Sequence, residues 1–118
     1  MLIKENHIAA AGGLIEAVRL ARAYISHTLK VEVEVETLEQ VTLALQSGAD
    51  IIMFDNMSLP EMSEAVILIG KRALTEASGG VNLQSIRAIA ETGVDIISVG
   101  ALTHSVRAAD ISMLMEQS

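Results

Sequence analysis

The sequence predicts an α/β fold of alternating βα units around a parallel sheet, and three observations lead to it. Five short β-branched or aliphatic runs alternate with four helical patterns. A five-residue motif recurs two βα units apart. Polar residues and glycines gather where the aliphatic runs end.

In order, the strand runs are Leu2–Ile3, Val31–Val35, Ile51–Phe54, Ala73–Glu76 and Ile96–Val99. Leu14, Val18, Ala21 and Ile25 line one helical face between the first two runs. Leu38, Val41 and Leu45 line a second face, and Met62, Ala65, Val66 and Ile69 a third. Leu83, Ile86 and Ala90 line the fourth. Thr37 with Gln40, and Ser58 with Glu61, have capping-box spacing. Pro60 falls in a first turn, where its missing N–H is harmless. Asn82 is placed to cap the fourth helix, and Gly48 and Gly93 stand where the second and fourth should stop. The result is β-α-β-α-β-α-β-α-β, the order of a parallel sheet with right-handed crossovers.

The repeat is Gly48-Ala49-Asp50-Ile51-Ile52 against Gly93-Val94-Asp95-Ile96-Ile97. Similarity between alternate strands is what a barrel produces, because alternate strands fill the same interior layers. The expected fold is therefore a partial TIM-like (β/α) barrel in a single domain, 1–118. An open doubly wound sheet fits the same pattern. A complete eight-stranded barrel does not, since it needs roughly 200–250 residues. The chain opens directly into an apolar strand. That implies a partner chain completing the sheet, strands rearranged into an open sheet, or further protein elsewhere.

Composition narrows the chemistry. The chain is 51% hydrophobic but holds one Phe, one Tyr and no Trp, so its core is aliphatic. Branched aliphatics suit a sheet covered by helices. There is no cysteine, which removes disulfides and thiolate catalysis. The net charge is −7, and the few basic residues do not cluster along the sequence, which argues against nucleic acid or an anionic membrane as partner. No apolar run approaches the roughly 18 residues of a membrane span. Residues Met1 to Asn6 show no secretory signal, and a cytoplasmic location is expected.

In parallel α/β folds, sites form at the C-terminal ends of strands. Those positions hold Lys4, Asn6 and His7; Glu34 and Glu36; Asp55 and Asn56; Ser78, Gly79 and Gly80; Gly100 and Ala101. Strand period places Glu32, Glu34 and Glu36 on one face, roughly 6.5–7 Å apart. They form either a solvated acidic face or a site facing the barrel mouth, compensated by water, cations or Mg²⁺. Asp55 either starts a loop by bonding backbone or, with Glu34, shares a metal or flanks a developing positive charge. Ser78-Gly79-Gly80-Val81-Asn82 and Ser98-Val99-Gly100-Ala101-Leu102 each follow a strand and precede a helix or short helical turn. They are either tight turns or loops whose amides hold a phosphate at helix N-termini. Residue type alone leaves Lys4 and His7 either solvated or functional. His27 and His104 read as structural, and neither a His/Cys metal cluster nor a Ser–His–Asp order is present.

Together these stretches resemble quinolinate phosphoribosyltransferase, the carboxylating nicotinate-nucleotide pyrophosphorylase. The matching segments are Leu2-Ile3-Lys4-Glu5-Asn6-His7-Ile8, Val31-Glu32-Val33-Glu34-Val35, and Ala49-Asp50-Ile51-Ile52-Met53-Phe54-Asp55-Asn56-Met57. Glu76-Ala77-Ser78-Gly79-Gly80-Val81-Asn82 and Ile97-Ser98-Val99-Gly100-Ala101-Leu102-Thr103-His104-Ser105 complete the set, in family order.

The resemblance implies transfer of phosphoribosyl from phosphoribosyl pyrophosphate to quinolinate, with Mg²⁺ and decarboxylation, giving nicotinate mononucleotide in NAD biosynthesis. Lys4 then matches a lysine near the substrate carboxylates. Glu34 and Asp55 match acidic catalytic and metal-associated residues at the ribose. Ser78, Gly79, Gly80, Gly100 and Ala101 match the loops that hold the 5′-phosphate. The family also implies a homodimer or higher oligomer, and cationic residues from an N-terminal domain and early barrel strands that this chain lacks. The isolated chain is therefore expected to turn over negligibly. The competing expectations are a nucleotide-binding half-barrel without catalysis, a related nicotinate-type transferase, and an assembly driven by sheet edges.

Overall fold

A computed structural model describes residues 1–79, 83–99 and 104–107. Its elements are β1 (Leu2–Ile3), α1 (Glu5–Ala11), α2 (Leu14–Tyr24), β2 (Glu32–Val35), α3 (Leu38–Ser47) and β3 (Ile51–Phe54). There follow α4 (Leu59–Ile69), β4 (Leu74–Gly79), α5 (Leu83–Ala90), β5 (Ile96–Val99) and β6 (His104–Arg107). The strands pair in chain order, β1 to β5 parallel and β6 antiparallel to β5. A doubly wound sheet would reverse its order at a switch point. Sequential order is barrel winding.

The two faces of the sheet differ. Val33, Val35, Ile52, Phe54, Ala77 and Ile97 are buried under the helices, α2 packing on α3 and α3 on α4. The opposite face carries Glu32, Glu34, Met53, Glu76, Ser78 and Ser98, and is largely half-buried or exposed. Period-2 alternation thus separates an aliphatic helix-side core from a polar face.

The recurring Gly-x-Asp-Ile-Ile motif has a structural cause. Asp50 Oδ2 accepts the Val31 N–H at 2.8 Å, and Asp95 Oδ2 accepts the Thr75 N–H at 2.9 Å. Each aspartate directly precedes one strand and satisfies a backbone N–H at or beside the start of the neighbouring strand. Gly48, at φ 80°, and Gly93, at φ 96°, turn the chain in the left-handed region just ahead of each aspartate.

Both expected caps form, but only one of them as a full capping box. Thr37 accepts from the Gln40 N–H at 3.1 Å, while Gln40 Oε1 accepts from Glu36, one residue earlier than a reciprocal box would place it. Ser58 and Glu61 make the full reciprocal box.

The structure corrects several expectations. A short helix, α1, occupies residues read only as a strand end, because Ala9, Ala10 and Ala11 favour helix up to the left-handed Gly12. The Ile25 expected on the first helical face, now that of α2, is extended instead, its N–H bonded to Ala21 O at 3.1 Å. Strand β4 runs on through Ser78 and Gly79, expected as loop, because they pair with Ser98 and Val99. Beyond the expected Ser98 loop the chain forms a strand, β6, where a helical turn was expected; Val106 pairs with Ile97 in the antiparallel register. The expected cap Asn82 lies outside the described residues.

Candidate active site

Glu34 sits one residue before the end of β2, and Asp55 directly follows β3. In register Glu34 faces Met53, two residues from Asp55, so both carboxylates emerge on the polar face. The Asp55 N–H donates to Val35 O at 2.9 Å, which fixes this strand end. Glu34 and Asp55 lie within hydrogen-bonding reach of one another. Burial pushes the Glu34 carboxyl up, and the Asp55 charge pushes the same way; the Lys4 ammonium opposes them. The structure therefore brings Lys4, Glu34 and Asp55 together at the ends of three consecutive strands. Glu36, the third member of the acidic row, is exposed beyond the strand end.

Lys4 is also the N-cap of α1, and its backbone N–H donates to His7 Nδ1 at 3.1 Å. His7 thus closes the helix start, and Asn6 Oδ1 takes the His7 N–H at 3.0 Å. Ser78 is exposed at the end of β4, two strands from Glu34, with its hydroxyl 4.0 Å from Met53 Sδ. Gly79 ends the strand beside it. A β-carbon there would stand 2.7 Å from Ile97 Cγ2 and 3.2 Å from Ser98 O, so close sheet packing already demands glycine. Gly80, Gly100 and Ala101 lie outside the described residues.

Below this level lies a second polar layer, in which Glu32 of the acidic row meets Glu76, a residue that sequence reasoning did not place in the site. Glu76 on β4 is 6% exposed, accepts from the Ser98 hydroxyl, and hydrogen-bonds to Glu32 on β2. Burial foremost, with the Glu76 bond and charge, pushes the Glu32 carboxyl up to about 7. Glu32 and Glu76 belong to alternate strands, as barrel layers do. Stepping back by two from Ser78 reaches Glu76 on the same face, and that was the available signal.

Among the described residues, no group of three or more His, Cys, Asp or Glu is arranged to hold a metal ion. No described helix is long and apolar enough to cross a membrane.

The family model described as quinolinate phosphoribosyl transferase, C-terminal domain, matches residues 1–114. The chain belongs to this family. It is 48% identical to a probable carboxylating nicotinate-nucleotide pyrophosphorylase of Bacillus subtilis, over 96% of its length and 39% of the relative's. It is 42% identical to the chloroplastic enzyme of that name from Arabidopsis thaliana, over 98% of its length and 38% of the relative's. The chain thus spans about two fifths of these curated relatives. A solved nicotinate-nucleotide pyrophosphorylase from Francisella tularensis superposes with TM-score 0.80 at 46% identity, over 90% of this chain and 38% of that one. A solved mandelate oxidase shares only the fold, at TM-score 0.63 and 19% identity, over 88% of this chain and 35% of that one.

Proposed function

We propose that this chain supplies the ribose-phosphate side of an active site that transfers phosphoribosyl from phosphoribosyl pyrophosphate to quinolinate. Decarboxylation would complete the reaction to nicotinate mononucleotide. The observation that carries this is the Glu34–Asp55 pair with Lys4 beside it, at the C-terminal strand ends of a quinolinate phosphoribosyltransferase-family domain.

The chemistry follows from charge. Departure of pyrophosphate leaves positive charge at ribose C1, and two carboxylates at adjacent strand ends stabilise it without reorganising. Ser78 and Gly79, with Gly80, Gly100 and Ala101, would fix the 5′-phosphate through amides and hydroxyl. Lys4 would meet a substrate carboxylate, and its charge favours the ionised form of Glu34. The oxygen donors of Glu34 and Asp55, close enough to repel, suit Mg²⁺, with water and substrate oxygens making up its remaining ligands. Bound there, Mg²⁺ would neutralise charge on the leaving pyrophosphate.

With eight Lys and Arg in all, the chain holds few cations for two multiply charged anions. Turnover by this chain alone is therefore negligible in this reading, and activity appears on complementation with the remainder of a family enzyme. The same reading carries a cytoplasmic location and self-association, for which the sheet ends in edge strands β1 and β6.

The test is a titration of the chain with nicotinate mononucleotide and Mg²⁺, followed by backbone amide spectra. Saturable shifts at Ser78, Gly79, Gly80, Gly100 and Ala101 are expected. A dispersed spectrum without shifts there would overturn the binding role.

A further inference from the structure

Four of the chain's eight basic residues, scattered in sequence, meet at the N-terminal ends of the strands, opposite Glu34 and Asp55. Two clefts open at this end. One, of 370 Å³, is lined by Lys30, Lys71 and Arg72; the other, of 490 Å³, by Lys71 and Arg107. They adjoin, since Lys71 and Leu74 line both. Each has the size of a small-molecule site.

The carboxylates here are already engaged. Asp50 also lines the first cleft, but binds Arg22 at 2.9 Å and the Val31 N–H at 2.8 Å. Asp95 lines the second and accepts the N–H and hydroxyl of Thr75 at 2.9 and 3.0 Å. Among the described residues, no carboxylate forms an ion pair with any of the four cations. In a chain of net charge −7, the described lining of the two clefts carries four cations against two carboxylates, of which Asp50 also feels the charge of Lys30.

One cation is held in place by its side chain, and another sits on an unusual backbone conformation. Arg72 donates to Ile69 O at 3.1 Å and Leu68 O at 2.7 Å, which orders its guanidinium and leaves further N–H groups to bind. Lys71 adopts φ 71°, a left-handed conformation uncommon for a residue with a β-carbon. The floor between the cations is apolar: Leu74 is 47% exposed, and Val94 and Ile96 line the second cleft.

We propose that this end of the sheet binds a small phosphate monoester, its phosphoryl oxygens on Lys71 with Arg72 or Arg107, and its apolar body on Leu74 and Ile96. Guanidinium and ammonium donors around a dianion supply the charge-assisted bonds. The uncovered aliphatic floor supplies preference for an ester over the inorganic ion.

The test uses the 118-residue chain at fixed ionic strength, with phenyl phosphate and inorganic phosphate as probes and backbone amides as readout. Phenyl phosphate should give saturable shifts at Lys71, Leu74, Ile96 and Arg107, and bind about fivefold more tightly than inorganic phosphate. Lys71→Gly should weaken binding about tenfold while leaving the urea midpoint equal or higher, because glycine accepts the positive φ. Arg107→Ala, at an exposed position, should weaken it similarly. Non-saturating shifts, shifts confined to Ser78 and Gly79 at the other end, or unchanged affinity in Lys71→Gly would overturn the proposal. Equal affinity for the two phosphates would overturn the assignment of the apolar floor.

Discussion

Glu32 and Glu76 stand on alternate strands and hydrogen-bond to each other across β3, the strand between them. A bond between two carboxyl groups needs a proton on one of them. Burial first, then the bond and charge of Glu76, raises the Glu32 carboxyl from 4.5 to about 7, with the chain's amino terminus opposing. The folded chain therefore holds this proton more tightly than the unfolded chain does. The stabilisation is complete below about pH 4.5 and is lost as pH rises through about 7. Allowing for solvent screening, it amounts to about 1–2 kcal/mol. Urea midpoints should be higher at pH 5 than at pH 8. Glu32→Gln should reduce the difference without abolishing it, since Glu34 is shifted the same way. Asp50, shifted downward, contributes nothing to this window; it loses its stabilisation only in more acidic solution.

Asp95 and Thr75 form the tighter of the two motif linkages. Thr75 is 2% exposed, and its N–H and hydroxyl both donate to Asp95 Oδ2. The Asp95 N–H lies 3.0 Å from Thr75 Oγ1. Asp95→Ala strands two buried donors and should cost about 2–4 kcal/mol by denaturant unfolding. Thr75→Val with Asp95→Ala should cost less than the two changes added, because the double variant leaves one unsatisfied donor in place of two.

These two aspartates also show what the sequence carries. The repeat around Asp50 and Asp95 was visible as a pattern, and barrel layering was the available reading; the bonds to Val31 and Thr75 are its direct cause. Strand alternation placed Glu32, Glu34 and Glu36 on one face because period 2 is a local rule, and Glu34 was read beside Asp55 because both end neighbouring strands. Glu76 escaped notice because its importance comes from Ser98 and Glu32, both distant in sequence. Strand β6 was hidden for the same reason: its pairing with β5 is a tertiary contact, and His104–Arg107 is too short for a periodic signal. The meeting of Lys30, Lys71, Arg72 and Arg107 is likewise a product of strand order, absent from local charge patterning.

Gly79 separates packing from binding in the candidate phosphate loop. Its missing β-carbon makes room for Ile97 Cγ2, at 2.7 Å from where that carbon would be. Gly79→Ala should destabilise the fold by about 1–3 kcal/mol through overpacking. In an Ile97→Ala background the same change should cost less, as the new methyl enters vacated space. Equal cost in both backgrounds would mean that Ile97 is not what excludes the β-carbon.

Lys4 and Asp55 act on Glu34 with opposite sign. The Lys4 ammonium holds the Glu34 carboxyl down, while Asp55 raises it through charge and hydrogen bond. Lys4→Met should therefore move the Glu34 titration to higher pH, and Asp55→Asn should move it lower. Carboxyl ¹³C shifts of Glu34 across pH 3–8 read both directions in one experiment. Burial is the largest cause and remains in either variant, so the Asp55→Asn protein should keep part of the upward shift. Shifts in the same direction for both variants would mean that the three side chains do not form one electrostatic unit.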